Sequence, residues 1–173
     1  AGVAQTAIAE SYVPTDLPAH PIPLVGRETE LADLDALLAD PSVRLITILG
    51  AGGMGKTHLA LAIANRARER FAHGIFFVPL AGTNHAGLLS TSIVNSLSLS
   101  EEGSIADVSR NGLFRFLHDR QMLLVLDSFE HLTDGADFLS ELLQAAPRVK
   151  LLVTSRERLK LVEEWLFPLQ GLS

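Results

Sequence analysis

Four short runs of apolar residues punctuate the chain: VRLITIL (43–49), GIFFVPL (74–80), QMLLVLD (121–127) and VKLLVT (149–154). Each is too short for a globular helix and is apolar nearly throughout, so each predicts a strand buried on both faces. Between the runs the apolar spacing changes to three and four. Leu31, Leu34, Leu37 and Leu38 mark a helix over 28–39, and Leu59, Ile63, Ala67 and Phe71 mark one over 56–71. A weaker helix is predicted over 84–97. Ile105, Val108, Leu113, Phe116 and Leu117 mark another over 104–119, and Leu132, Leu139, Leu142 and Leu143 a further one over 130–145. A short helix is expected over 156–163. WLFPL (165–169) reads as a fifth, edge-like strand, because Pro168 cannot donate to a ladder. Apolar strands alternating with helices define an α/β fold, a parallel sheet sandwiched between helices. Residues 1–22, with Pro14, Pro18 and Pro21, read as an extended leader or linker, and 23–173 as one domain.

Composition narrows the class. A length of 173 residues with 47% hydrophobic and 20% charged residues suits a single globular domain with a full core. A net charge of −6 argues against direct nucleic-acid binding by this segment, since few counterions would be released. Arg66, Arg68 and Arg70 read as a solvated face late in the second helix. The absence of cysteine excludes disulfides and thiolate metal sites, and fits a cytoplasmic setting. No apolar run approaches the length of a transmembrane helix, and no signal peptide opens the chain. The first residue is not Met, which suggests a piece of a longer protein. The six histidines show no metal-ligand spacing, and no Ser/His/Asp ordering stands out.

The most specific chemistry lies at 50–57, GAGGMGKT, which is Gly-x-x-x-x-Gly-Lys-Thr between a predicted strand and a predicted helix. Glycines allow backbone N–H groups to wrap a β-phosphate without a Cβ in the way. Gly50, Ala51, Gly52, Gly53, Met54 and Gly55 therefore form the candidate cradle, with His58 just beyond it. Lys56 supplies positive charge to the β- and γ-phosphates, Thr57 a hydroxyl for Mg²⁺, and the helix start a favourable dipole. Asp127 closes the apolar run LLVL. At the carboxyl end of a parallel strand it suits Mg²⁺, commonly through water; the other reading is a helix N-cap. Glu130 suits activation of an attacking water, and equally an acidic residue placed at a helix start for dipole reasons. Arg156 is placed to meet a γ-phosphate, or simply stands exposed in a first helical turn capped by Thr154 and Glu157.

Taken together, PLVGRETELADLDALL, ITILGAGGMGKTHLALAIA, LLVLDSFEHL and LLVTSRERLKL resemble the nucleotide-binding domain of signal-transduction ATPases with numerous domains (STAND). The segments are most similar to the NB-ARC-like branch of bacterial transcription regulators. The resemblance runs from about Pro23 to Leu172. It implies a three-layer P-loop fold whose parallel five-stranded sheet has the order 2-3-4-1-5. It implies that Val25 and Arg27 contact adenine, that Lys56 and Thr57 act on phosphates and Mg²⁺, that Asp127 (the Walker B acid) holds Mg²⁺, and that Arg156 senses the γ-phosphate. Relatives exchange ADP for ATP as a switch that releases autoinhibition and permits nucleotide-dependent self-association. ATP/ADP, Mg²⁺ and the other domains of the full-length protein are the implied partners, with no membrane among them.

Two departures from the family pattern stand out. Many relatives carry a second acid directly after the Walker B Asp, where this chain has Ser128. Hydrolysis is then expected to be slow or to depend on Glu130. The helical lid and winged-helix domains of relatives have no counterpart within these residues. The leading expectation is a nucleotide switch with weak ATPase activity. The rivals are a turnover ATPase of AAA+ type, a small-molecule kinase, and a scaffold with a vestigial site.

Overall fold

The computed structural model describes residues 15–16, 26–52, 55–98 and 109–170, the first two and residue 98 by backbone alone. Its strands are β1 (Thr15–Asp16), β2 (Leu45–Leu49), β3 (Ile75–Pro79), β4 (Met122–Asp127), β5 (Val149–Ser155) and β6 (Glu164–Pro168). Its α-helices are α1 (Glu28–Ala39), α2 (Lys56–Arg66), α3 (Leu89–Ser98), α4 (Arg110–Leu117) and α5 (Ala136–Ala145). All described pairings are parallel, in the spatial order β1-β3-β4-β5-β2-β6. Leaving out the two-residue β1, this is the expected five-stranded order 2-3-4-1-5. The apolar runs did not signal β1, which lies between Pro14 and Pro18 and adds only Thr15 and Asp16 beside Ile75 and Phe76.

Strand alternation separates two cores. Ile46 and Ile48 of β2, with Leu123 and Val125 of β4, face Leu34, Leu38, Leu59 and Ile63 of α1 and α2. Leu45, Leu124, Leu126 and Val153 face the opposite way, against Ile93, Leu113, Leu139 and Leu142 of α3, α4 and α5. Successive side chains of a strand point to opposite faces, so a strand apolar throughout needs helices on both sides. Arg44 ties the base of the sheet to α5, donating to the carbonyls of Leu143, Ala146 and Val149 at 2.7–3.1 Å. Lys150 does the same for α1, donating to Leu38 and Asp40. These cations satisfy carbonyls that a helix end leaves without intrahelical partners.

Four helix expectations change. The 56–71 helix stops at Arg66, and its last turn tightens into a 3₁₀ turn over Arg68–Arg70. The 130–145 helix begins as 3₁₀ over Glu130–Gly135 and becomes α only from Ala136. The interruption falls at Gly135, where a Cβ would lie 2.8 Å from the Ala86 Cβ; only glycine admits this close approach. The expected helix over 156–163 does not form. Thr154 belongs to β5, so it caps no helix. Ser155 accepts the Glu157 N–H instead, and the Glu164 carboxylate takes the N–H groups of Leu159 and Lys160 at 2.8 and 3.1 Å. Lys160 is held at φ 61°, which no helix permits. Of the 104–119 helix, α4 starts at Arg110 on a Ser109 cap; residues 104–108 lie outside the described residues.

Glu164 also accepts the hydroxyl of Thr47, a fully buried polar residue in the middle of β2, at 2.7 Å. One carboxylate thereby holds a central strand, the edge strand and the loop after β5. Replacing Glu164 by Ala is expected to lower the unfolding free energy by about 2–3 kcal/mol, since hydrogen bonds to a charged group contribute roughly 1.5–3 kcal/mol and a buried hydroxyl loses its partner. Urea unfolding checks this; a loss of under about 0.5 kcal/mol would show that the loop holds itself.

Candidate nucleotide site

The candidate residues meet where β2, β4 and β5 end. In a parallel sheet the carboxyl ends of the strands open onto a crevice bordered by the loops that follow them. Here the crevice is a cavity of about 400 Å³ lined by Gly52, Gly55, Lys56, Thr57, His58, Ser128, Glu130, Thr154 and Arg156. The lining therefore draws on three separate stretches of chain, 52–58, 128–130 and 154–156.

The glycine-rich loop leaves β2 at Leu49 and turns into α2 at Gly55, which has φ 81° and serves as the helix N-cap. A residue with a Cβ resists this left-handed conformation. Lys56 curls back over the loop and donates to the carbonyls of Gly50 and Ala51 at 2.8 and 2.9 Å. Gly52 lies under Arg156: a Cβ there would come within 2.4 Å of the guanidinium Nη2. Gly53 and Met54 lie outside the described residues, as does Val25.

Asp127 stands just behind the lining. Its Oδ1 accepts the hydroxyls of Thr57 and Thr154, each at 2.7 Å, and its Oδ2 accepts the Ser128 hydroxyl more loosely, at 3.5 Å. Ser128 follows in the left-handed region at φ 67°. Glu130, at the start of the 3₁₀ turn, faces Arg156 with Oε1 to Nε at 3.8 Å. Its other oxygen, Oε2, is buried and has no hydrogen-bond partner among the described residues. A buried carboxylate oxygen without a donor is costly, and at a cavity wall it marks a place for a water or ligand proton.

Arg27 lies apart from this cavity. It is 5% exposed and precedes α1, donating from Nη1 to Glu30 at 3.1 Å and to the Gln170 carbonyl at 2.8 Å. The bond to Gln170 ties the start of α1 to the segment after β6. Thr154 was read from the sequence as a cap, yet it lines the site. Its signal was a hydroxyl residue near the carboxyl end of a largely apolar strand, the end at which ligands of a parallel sheet bind.

The donor set suits a nucleotide with Mg²⁺. Thr57 and Asp127 offer hard oxygen donors 2.7 Å apart. Among the described residues no group of three or more His, Cys, Asp or Glu could cage a metal. Mg²⁺ takes one or two protein oxygens and completes its shell with phosphates and water, a demand that the Thr57 and Asp127 oxygens suit.

Sheet order and glycine-rich loop together define a P-loop fold. The family model for the NACHT domain matches residues 44–166, and the chain belongs to that family. An uncharacterized protein of Mycobacterium tuberculosis is 36% identical over 152 residues, covering 86% of this chain and 38% of its own length. A second protein of that organism, named for HTH-type transcriptional regulation, is 38% identical over 136 residues, covering 77% of this chain and 15% of its own. Among solved structures, a STAND protein with a tetratricopeptide repeat sensor from Pyrococcus horikoshii superposes with a TM-score of 0.55 at 19% identity, covering 91% of this chain and 24% of that one. The chain spans less than two fifths of the length of these relatives. The matching family model is that of the NACHT domain and does not test the NB-ARC branch named on sequence resemblance. No helix among the described residues is long and apolar enough to cross a membrane.

Proposed function

We propose that this domain is the ATP/ADP switch of a longer regulatory ATPase, one that controls transcription, and that it hydrolyses ATP slowly with Mg²⁺. The observation that carries this reading is the convergence of Lys56, Thr57, Glu130 and Arg156 on one cavity, with Asp127 bonded to Thr57 behind it. The M. tuberculosis relative named for HTH-type transcriptional regulation supports the regulatory setting.

In this reading the backbone of residues 50–55 and the start of α2 cradle the β-phosphate. Lys56 shares its ammonium, now on the Gly50 and Ala51 carbonyls, with the β- and γ-phosphate oxygens. Thr57 and Asp127 would hold Mg²⁺, which would supply positive charge against the phosphates. Arg156 turns from Glu130 to the γ-phosphate. Glu130 then accepts a proton from the attacking water as the bond to the β–γ bridging oxygen breaks, leaving ADP and phosphate. Val25 and Arg27 contribute to adenine preference from the start of α1. The pinning of Arg27 by Glu30 and Gln170 gives that region a fixed frame. Ser128 offers no carboxylate directly after Asp127, which leaves the base role to Glu130 and keeps turnover slow.

Single-turnover hydrolysis tests the assignment. Glu130→Gln is expected to slow phosphate release about a hundredfold, the lower end of the range for loss of a general base, with ATP affinity changed by less than about threefold. An unchanged rate would remove Glu130 from the mechanism.

A further inference from the structure

We infer that Thr154 is the positioning residue of this site, the clamp that sets the turn carrying Asp127, Ser128 and Glu130. The inference rests on the nucleotide-switch reading for its functional consequence, though the clamp itself is argued from geometry alone.

Thr154 is 1% exposed and sits one step past the last ladder pair between β4 and β5, Leu126 with Val153. From there it makes three bonds to three successive residues of the other strand's exit. Its hydroxyl donates to Asp127 Oδ1 at 2.7 Å. The same oxygen accepts the Ser128 backbone N–H at 2.8 Å. Its carbonyl accepts the Phe129 N–H at 2.9 Å. A threonine hydroxyl has one proton to give and lone pairs to receive. Here the proton goes to Asp127 and a lone pair takes Ser128, so the direction of the chain is determined.

The middle bond explains an otherwise unfavourable backbone. Ser128 is held at φ 67°, a conformation that L-residues other than Asn, Asp and Gly seldom adopt. Such local strain persists when surrounding contacts over-determine it. Thr154 supplies those contacts on both sides of Ser128. The turn it fixes delivers Glu130 to the cavity wall two residues later. Asp127 Oδ1 meanwhile receives the second hydroxyl from Thr57. One oxygen of Asp127 is therefore bonded both to the strand β5 and to the first turn of α2. Thr154 thus ties the carboxylate proposed to serve Mg²⁺ to the strand that carries Arg156, without itself taking part in the chemistry.

Two measurements on the whole chain test this. The first is a urea-unfolding cycle of wild type, Thr154→Val, Ser128→Gly and the double variant. Valine keeps the shape of threonine and loses the hydroxyl, while glycine at 128 removes the cost of the left-handed turn. Thr154→Val is expected to lower the midpoint by about half a molar, and to cost clearly more in the Ser128→Gly background, because a released Ser128 relaxes its strained turn and recovers part of the loss, a relief that glycine cannot give. Equal losses in both backgrounds would reduce Thr154 to ordinary packing and overturn the inference. The second is ADP affinity with and without Mg²⁺. Thr154→Val is expected to keep Mg-free affinity within about twofold and to lose about tenfold of the Mg-dependent gain, with Thr154→Ser restoring it. An unchanged Mg-dependent gain in the valine variant, or its loss in the serine variant, would overturn the inference. If wild type bound no nucleotide, the proposed function would fall, and the urea cycle would still decide the clamp.

Discussion

Asp127→Asn is expected to bind ADP without Mg²⁺ about as well as wild type, and to lose roughly a hundredfold of the affinity that Mg²⁺ adds. The substitution keeps the shape of the side chain and an oxygen able to accept the hydroxyls of Thr57 and Thr154. It removes the negative charge, which is what a hard divalent cation and its waters recognise. Interactions of a charged group contribute roughly 1.5–3 kcal/mol, or about ten- to a hundredfold, and a carboxylate serving a divalent ion lies at the upper end. The fold should be spared, with unfolding changed by about 1 kcal/mol or less, because both hydroxyl bonds survive. Titration of ADP at zero and saturating Mg²⁺ separates the two effects. If Mg²⁺ still tightened ADP equally, Asp127 would be only the anchor of its turn.

Phe129→Ala is expected to produce the largest loss of stability. Phe129 lies between the strained Ser128 and Glu130, is fully buried, and belongs to the core shared by β4, β5 and α5. Truncating a buried phenylalanine costs about 3–5 kcal/mol through lost burial and the cavity left behind. For a chain of this size that corresponds to a melting temperature roughly 10 °C lower. Phe129→Leu should recover most of the loss. The ring anchors in the core the same turn that Thr154 bonds, so the alanine variant should lose hydrolysis before it loses its fold. A change under about 1 kcal/mol would mean that the turn is not anchored in the core.

The sheet was legible because its strands are buried on both faces. A run such as LLVLD has no amphipathic alternative, and the glycine-rich loop locates the crevice at once. Strand order was not readable from periodicity and came only with the family resemblance, since any parallel sheet buries the same side chains. The region after β5 misled for a definite reason. Thr154 and Glu157 have the spacing of a capping box, but the partners that decide the backbone are distant. Glu164 takes the N–H groups of the loop, and Asp127 takes the Thr154 hydroxyl. Local spacing carries no record of an acceptor supplied by a neighbouring strand. The pair formed by Glu130 and Arg156 was likewise present as two candidates, and only the sheet brings them to 3.8 Å.

In the proposed function, residues 50–57 grip the phosphates of an adenine nucleotide through Lys56. Calorimetric titration of Mg·ADP into wild type and Lys56→Ala tests it most directly. One-site binding is expected for wild type and a loss of about tenfold to a hundredfold for the variant, the range for removing a charged hydrogen-bond donor. Equal affinity in the two proteins would contradict the account, because the ammonium that closes over Gly50 and Ala51 would then serve only the loop itself.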